Sequence, residues 1–480
     1  MNQAIRNSWI VALAMFLAIL GSLTYVQFFA APELNANPIN NRGLYQDFGQ
    51  NRGSILVDGV PIAESVPSND QFNYQRVYNQ PELYSALTGY FSLALGANQL
   101  EAAMNDELTG NSDQQFYDRL VQLFTGAQAQ GASVELTIDP ELQQMAYDLI
   151  PDGQKGSIVM MDPKTGDILA MVSKPSYDTN LLAVHDTEVV DANMEQLLTV
   201  PGLSPYRNPA TESLLAPGST FKLVDAAAAL ETGKFTAESV IPNPPALPLP
   251  GTNISLPNFT NGLCGTRSEA TIQFALEQSC NTVFAQIAWE VGQDALADQA
   301  EKFGFGAGLN IPTPVVASQF PETEGQAELA LSSIGQGSVT ATPLQVAMIS
   351  AAIANNGVQM TPNLIKAVRA PDLSVINEPE PSVLNTSVSP GTAAQLTDWM
   401  VSVVDNGSAS AAQVPGFKVA GKTGTAEVEG RGDNAWFTGF APAEDPQVAI
   451  SIVMEDVDLT TGSQLTTPSA QKLLEAVLNK

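Results

Sequence analysis

The sequence predicts an α+β protein with one N-terminal membrane-spanning helix, a small N-terminal domain, and a large domain in which helices flank an antiparallel sheet beside a helical lobe. Three observations favour this arrangement. Asn7 to Pro32 contains no charged residue and is mostly apolar. Strand-like segments occur at both ends of the region after residue 133, with helix-like segments between them. Three short motifs of catalytic residue types follow one another within that region.

The first element is predicted to be an uncleaved membrane anchor over residues 8–31. Spanning a bilayer takes about 20 apolar residues. Arg6 precedes the apolar run and Glu33 follows it, so the positive-inside rule places residues 1–7 in the cytoplasm and the rest outside. The alternative is a cleaved signal peptide, which Ala30-Ala31 would permit, but its apolar core is usually only ~7–15 residues long.

The next element, residues 35–131, is polar and rich in Asn and Gln, and we expect a small non-catalytic domain that supports the rest like a pedestal. Its last residues, 126–131, are predicted to be a linker. The catalytic domain is expected over residues 133–480, ending in an amphipathic helix, Ala470 to Leu478. The strands predicted for its sheet are Ser157–Met161, Ile168–Val172, Lys418–Ala426, Trp436–Phe440 and Val448–Met454.

The first motif is Ser219-Thr220-Phe221-Lys222, just after Pro217-Gly218 and at the start of an Ala-rich helical pattern. Ser219 then lies at a helix N-terminus, where free N–H groups favour a developing oxyanion. Lys222, three residues on, shares its helical face. A lysine buried beside a second cation such as Lys422 can lose its proton and act as a base. A tetrad of this kind standing alone is more often a helix cap followed by a solvated lysine.

The second and third motifs are Ser279-Cys280-Asn281 and Lys422-Thr423-Gly424. Each motif is weak evidence alone, but the three in this order are much harder to obtain by chance. We expect Ser279 to relay a proton between the two lysines and a leaving amine, and Asn281 to bind a substrate amide and contact Lys222. The chain has one histidine, His185, predicted to lie solvated in a loop, so a Ser-Lys pair is the better candidate for activating a serine.

The third motif is predicted to lie on a strand that binds substrate. Gly421 and Gly424 are expected to leave room for a ligand backbone. The hydroxyls of Thr423 and Thr425, together with the Lys422 ammonium, would hold a substrate carboxylate. The backbone N–H groups of Ser219 and Thr425 are predicted to form the oxyanion hole.

With these motifs, the chain resembles the class B penicillin-binding proteins, and within them the actinobacterial penicillin-binding protein A type. Cys280 stands where the general signature shows Asp. The resemblance extends over nearly the whole chain, through Arg52-Gly53-Ser54-Ile55, Leu136-Thr137-Ile138-Asp139, Ile334-Gly335-Gln336-Gly337 and Ala435-Trp436-Phe437. It implies the penicillin-binding/serine β-lactamase-like transpeptidase fold, and nothing in the chain resembles a glycosyltransferase domain.

The resemblance implies a membrane-anchored D,D-transpeptidase that cross-links peptidoglycan stem peptides through a Ser219 acyl-enzyme and binds β-lactams covalently. Its implied partners are stem peptides, the lipid-linked precursor polymer, a glycosyltransferase and division proteins, and its implied role is septal wall synthesis. Carboxypeptidase side activity and a β-lactamase are alternatives within the same chemistry. A β-lactam sensor or a division scaffold without turnover is the alternative outside it. No cofactor and no metal are expected.

Charge and cysteine content limit the remaining classes. The net charge is −30 and charged residues make up only 15% of the chain, which argues against nucleic-acid binding. Cys264 and Cys280 are the only cysteines. Outside the membrane they are a candidate disulfide that would tie a loop to the second motif, the alternative being two buried thiols.

Overall fold

The central sheet of the protein contains five antiparallel strands in the order Ala420–Ala426, Asp433–Ala441, Val448–Val457, Lys155–Met161 and Ile168–Lys174. The computed structural model describes residues 3–30, 48–112, 115, 130–259, 262–309 and 311–480, so most of the predicted linker lies outside the described residues. All five predicted strands are present with ends shifted by a few residues, and the α+β fold class is confirmed.

Helices cover both faces of this sheet. Leu459–Leu478 lies against Ala435 on one face, and Pro343–Ala354 contacts Thr438, whose hydroxyl meets that of Ser350 at 2.7 Å. Positions 435 and 438 point to opposite faces because side chains alternate along a strand. The two covered faces explain why the inner strands Val448–Val457 and Lys155–Met161 are buried almost continuously rather than in alternation.

The helical lobe beside the sheet carries the first two motifs. The helix Lys222–Glu231 is buried from Lys222 to Ala229, which its small alanine side chains permit. It packs against the helices Asn281–Val291, Gln293–Lys302 and Pro390–Asn406. The chain that enters this helix just before Lys222 is therefore held by a rigid, close-packed support.

A second sheet crosses the domain boundary expected near residue 131. Ile55–Val57 pairs in parallel with Ser133–Leu136, and that strand pairs antiparallel with Ile365–Arg369, far along the chain. The full strand order is Val375–Asn377, Ile365–Arg369, Ser133–Leu136, Ile55–Val57, Val60–Pro67 and Tyr74–Tyr78. The division into residues 35–131 and 133–480 stays a prediction, but the two regions share this sheet.

A buried ion cluster holds the N-terminal region. Glu101 is fully buried and receives Arg52 Nε at 2.7 Å and Arg76 Nε at 2.6 Å on its two carboxylate oxygens. Burial opposes ionisation of Glu101, but the two guanidinium groups keep its pKa below the usual value. The Arg52 that carries the family resemblance is thus a structural ion-pair partner.

The N-terminal helix stands apart from the rest of the protein. It runs over Gln3–Thr24 and continues as a π-helical turn, Tyr25–Phe29. The span Ile5–Phe29 has a mean hydropathy of 2.1, and none of its most apolar part is buried inside the protein. By length and composition it is able to cross a membrane.

His185 departs from the sequence prediction, because its side chain is only 12% exposed. Its ring packs against Phe48 and Phe72, with centroids 5.4 and 4.9 Å away, and its Nδ1 pairs with the Asp70 carboxylate. The sequence could not predict this burial, because Phe48 and Phe72 lie more than 100 residues before His185.

The remaining elements complete the described chain. The other strands are Phe91–Ser92, Gly96–Ala97, Val240–Pro242, Ala246–Pro248, Ser255–Pro257, Glu269–Thr271, Val358–Met360 and Val383–Thr386. The other helices and helical turns are Pro81–Thr88, Gln99–Ala103, Asn105–Thr109, Pro140–Leu149, Asn180–Ala183, Thr187–Leu197, Pro209–Glu212, Gly218–Phe221, Cys264–Thr266, Ile272–Glu277, Gln326–Ser333 and Ser410–Ala412.

Candidate active site

Ser219 lies in a tight 3₁₀ turn, Gly218–Phe221, that leads directly into the helix beginning at Lys222. Gly218 has a positive φ of 54°, and its N–H donates to the Gly335 carbonyl at 2.9 Å. A Cβ on Gly218 would lie 2.4 Å from the Thr425 carbonyl oxygen. Glycine is required here because the turn lies directly against the strand of the third motif.

Lys222 is fully buried and reaches the second motif. Its Nζ donates to the Ser279 carbonyl at 2.8 Å and to Asn281 Oδ1 at 2.8 Å, and it lies 3.4 Å from Ser279 Oγ. Burial and then the charge of Lys422 lower the pKa of Lys222 well below its usual value. Because its charged form is disfavoured, this amine is better suited to accept a proton than an ordinary lysine.

Lys422 approaches the same serine from the sheet. Its Nζ donates to Ser279 Oγ at 3.0 Å and to the Thr423 carbonyl at 2.8 Å, and its side chain is fully buried. Burial lowers the pKa of Lys422 to about 7. The Ser279 hydroxyl thus lies between two amines, which is the arrangement that a proton relay requires.

A buried carboxyl group on the same helix was not singled out from the sequence. Asp225 is three residues after Lys222, is fully buried, and neither of its oxygens has a hydrogen-bond partner among the described residues. Burial raises the pKa of Asp225 well above its usual value, although the charge of Lys222 opposes the shift. A carboxyl held neutral supplies no full negative charge to keep Lys222 protonated.

Ser279 occupies a strained link between two helices. Its φ is +58°, in the left-handed region that non-glycine residues rarely adopt. Ile272–Glu277 ends before it and Asn281–Val291 begins after it. The structure contains the disulfide between Cys264 and Cys280, which closes a loop beside this link. The strain is retained because hydrogen bonds from Lys222 and Lys422 hold Ser279 and the disulfide holds the next residue.

The third motif presents two different faces. Lys422 and Gly424 are buried on one face, while Thr423 and Thr425 on the other face remain partly exposed. The Thr423 hydroxyl is 2.7 Å from the hydroxyl of Ser408, a residue that sequence reasoning missed. Two threonine hydroxyls on an accessible face can bind a carboxylate.

At both glycines of this strand, the space that a Cβ would take is already filled by the protein, and the predicted room for a ligand backbone stays a prediction. A Cβ on Gly424 would lie 2.9 Å from Thr220 Cγ2 and 3.0 Å from the Pro217 carbonyl oxygen. A Cβ on Gly421 would lie 2.8 Å from the Phe437 ring. Both glycines therefore make room for the protein's own packing, above all for the turn that carries Ser219.

The structure brings all three motifs into one cluster. The turn that carries Ser219 lies against the strand at Thr425. The predicted oxyanion hole requires this closeness, because it is formed by the N–H groups of both residues. Lys222 and Lys422 meet at Ser279, and Asn281 is bonded to Lys222. The catalytic roles assigned to these residues remain predictions, but their chemistry fits acyl transfer through a serine nucleophile.

Comparison with known proteins gives a consistent result. Residues 156–475 match the penicillin-binding protein transpeptidase domain family, and residues 52–134 match the penicillin-binding protein A dimerisation domain family. The chain is 37% identical to the peptidoglycan D,D-transpeptidase PbpA of Mycolicibacterium smegmatis, with complete coverage of both chains.

Solved structures agree with the sequence relatives. The crystal structure of PBPA from Mycobacterium tuberculosis is 37% identical, has a TM-score of 0.86, and covers 90% of this chain and 100% of its own. The penicillin G acyl-enzyme complex of the same protein has a TM-score of 0.84 at 37% identity, covering 89% of this chain and 100% of its own.

Proposed function

Because this chain belongs to the class B penicillin-binding proteins, we propose that it is a serine D,D-transpeptidase that cross-links peptidoglycan stem peptides. The observation that carries the proposal is the cluster at Ser279, where the Lys222 and Lys422 amines meet beside the Ser219 turn. Its 37% identity to a peptidoglycan D,D-transpeptidase along the whole chain supports the same reaction.

In the acylation step, the neutral Lys222 amine takes the proton of the Ser219 hydroxyl as its oxygen attacks the penultimate D-Ala carbonyl. The N–H groups of Ser219 and Thr425 stabilise the tetrahedral oxyanion. When the C–N bond breaks, the leaving D-Ala amine receives a proton through Ser279, which links the two lysines. The products are free D-Ala and an ester on Ser219.

In the second step, an amine of a neighbouring stem peptide attacks that ester. The amine loses its proton through the same relay, a new amide forms, and the Ser219 oxygen regains its proton. Water in place of the amine gives carboxypeptidase side activity. A β-lactam acylates Ser219 with opening of its ring, as the penicillin G acyl-enzyme of the M. tuberculosis relative supports.

Substrate binding is assigned to the accessible face of the third-motif strand. The terminal carboxylate of the stem peptide would accept hydrogen bonds from Thr423 and Thr425, with Lys422 buried behind them. Asn281 has its oxygen on Lys222, and of its two amide hydrogens one is already donated, so the other is left to face the substrate backbone. The acceptor of the donated hydrogen is the Pro257 carbonyl at 3.0 Å.

Cellular placement belongs to the same proposal. The span Ile5–Phe29 anchors the enzyme once, with the N-terminus cytoplasmic and the catalytic domain outside. A role in septal wall synthesis, with a glycosyltransferase and other division proteins as partners, rests on the family resemblance. The outward placement is also compatible with the disulfide.

The test is intact-mass spectrometry of the purified full chain after exposure to a fluorescent penicillin. We expect a stable adduct on the wild type and none on Ser219→Ala. Rapid consumption of the drug without an adduct would point instead to a β-lactamase. Intact drug without an adduct would overturn the proposal. A stable adduct together with no cross-linking of lipid-linked polymer would favour a sensor.

A further inference from the structure

Asn258 lies outside the three motifs and immediately follows the short strand Ser255–Pro257. Its side chain is almost fully buried, and its Oδ1 accepts hydrogen bonds from the backbone N–H groups of Asn281 at 3.0 Å and Thr282 at 3.1 Å. These residues begin the helix Asn281–Val291. The first N–H groups of a helix have no partner within the helix, so they need an external acceptor.

The residue at the usual capping position does not supply that acceptor. Cys280 precedes the helix, its sulfur is in the disulfide, and its side chain makes no capping bond. Asn258 therefore caps this helix from a distant part of the chain. The preceding residue, Pro257, accepts the side-chain amide of Asn281 at 3.0 Å, so residues 257 and 258 hold both the backbone and the side chain of Asn281.

Asn258 is itself fixed by a buried polar network. Its Nδ2 donates to the Pro244 carbonyl at 3.0 Å and lies 3.3 Å from both the Gly262 carbonyl and Asn243 Oδ1. Asn243 is fully buried and donates to the Cys264 carbonyl at 2.8 Å. The amide orientation of Asn258 is thus determined on both sides, as expected of a group that sets a geometry.

We infer that Asn258 is a positioning residue for acylation: by capping the helix at Asn281, it sets the place of Asn281 Oδ1, which holds the Lys222 amine. The inference rests on the proposed function. If Asn258 is lost, Asn281 can shift and Lys222 loses a fixed hydrogen-bond acceptor. Displacement of a reacting group by about 1 Å can cost as much as a hundredfold in rate.

The matched control is Asn208, which is also fully buried and caps another helix, its Oδ1 accepting the Ala210 N–H at 3.0 Å. Asn208→Ala removes the same kind of group, but none of its described hydrogen bonds reaches the lysine cluster. Asn258→Asp keeps the accepting oxygen and the shape while removing the amide donors. Each variant is compared with the wild type as the full chain.

The measurements are the second-order acylation rate constant with a fluorescent penicillin from pH 5 to 10, and the melting temperature. We expect Asn258→Ala to acylate about 10- to 100-fold more slowly. The acidic limb of its pH–rate profile should move to lower pH, because Asn281 Oδ1, an acceptor that favours the charged form of Lys222, has been displaced. Lys422 and Asp225, the ionisable groups that act on Lys222, remain in place.

Asn258→Asp should retain most of the rate and at most move the limb to higher pH, and Asn208→Ala should change only the melting temperature. An unchanged rate and limb in Asn258→Ala would overturn the inference, as would equal losses of rate in the Asn208 and Asn258 alanine variants. If Asn258→Ala does not fold, the test is made on Asn258→Asp alone. An acylation rate constant of Asn258→Asp tenfold or more below that of the wild type would then overturn the inference. A stable adduct on the wild type separates these outcomes from failure of the proposed function.

Discussion

Lys422→Met should stabilise the protein while abolishing its acylation by penicillin. Burial lowers the pKa of Lys422 from 10.5 to about 7, so the folded state holds fewer protons than the unfolded state between these values. Stability from this group therefore rises as pH increases through that window, and below pH 7 the full cost of the buried charge is present. The difference corresponds to about 5 kcal/mol as an upper magnitude.

Methionine has a similar length and no charge, so the variant lacks this cost. It should be more stable than the wild type at pH 6 by up to several kcal/mol, and the gap should narrow to about 1 kcal/mol by pH 10, just below the pKa of the unfolded state. Acylation should be lost because Lys422 also lowers the pKa of Lys222, and without that charge Lys222 regains part of its usual pKa.

The assay is urea denaturation of the full chain in detergent, followed by tryptophan fluorescence at pH 6 and pH 10. Adduct formation with penicillin is measured on the same samples. A stability gap that does not change with pH would refute the argument, as would a variant less stable than the wild type at pH 6. Either result would mean that Lys422 is held as a well-compensated cation.

Three further changes test the geometry around the site. Gly218→Ala should lower the melting temperature and block acylation because its Cβ would lie 2.4 Å from the Thr425 carbonyl oxygen; Gly153→Ala, also at positive φ but with no neighbour within 4 Å, should keep full acylation. Ser408→Ala removes the hydroxyl that orients the Thr423 hydroxyl. The KM for a stem-peptide substrate should therefore rise about fivefold at unchanged melting temperature, as expected for the loss of one hydrogen bond. An unchanged KM would count against a binding role for Thr423. Reduction of the disulfide should cost about 3 kcal/mol of stability and slow acylation, measured by denaturation and adduct formation under matched conditions, and no change in either would contradict its supporting role.

The motif residues could be predicted from the sequence because acyl transfer requires particular side chains at short, fixed spacing. Ser219 and Lys222 are three residues apart on adjoining helical turns. Lys422 lies within a segment whose residue pattern predicts a strand. The central strands could be predicted because short runs of apolar residues bounded by turn residues are typical of buried strands.

The supporting residues could not be predicted, because their partners lie far along the chain. Asn258 is one of many loop asparagines until it is seen to cap the helix at Asn281, and Ser408 gains meaning only from its contact with Thr423. A glycine in a strand, such as Gly424, signals close approach without saying which group approaches. In the structure the approaching group is the Ser219 turn.

The sheet shared by the N-terminal and catalytic regions has a consequence for folding during synthesis. The strand Ile365–Arg369 is made roughly 230 residues after Ser133–Leu136, the strand with which it pairs, so at about 5–20 residues per second that edge lacks its partner for roughly 10 to 45 s. During that interval Ser133–Leu136 has an unpaired edge that is open to pairing with other emerging chains. The nascent chain therefore passes through a stage in which chaperones would need to cover this edge.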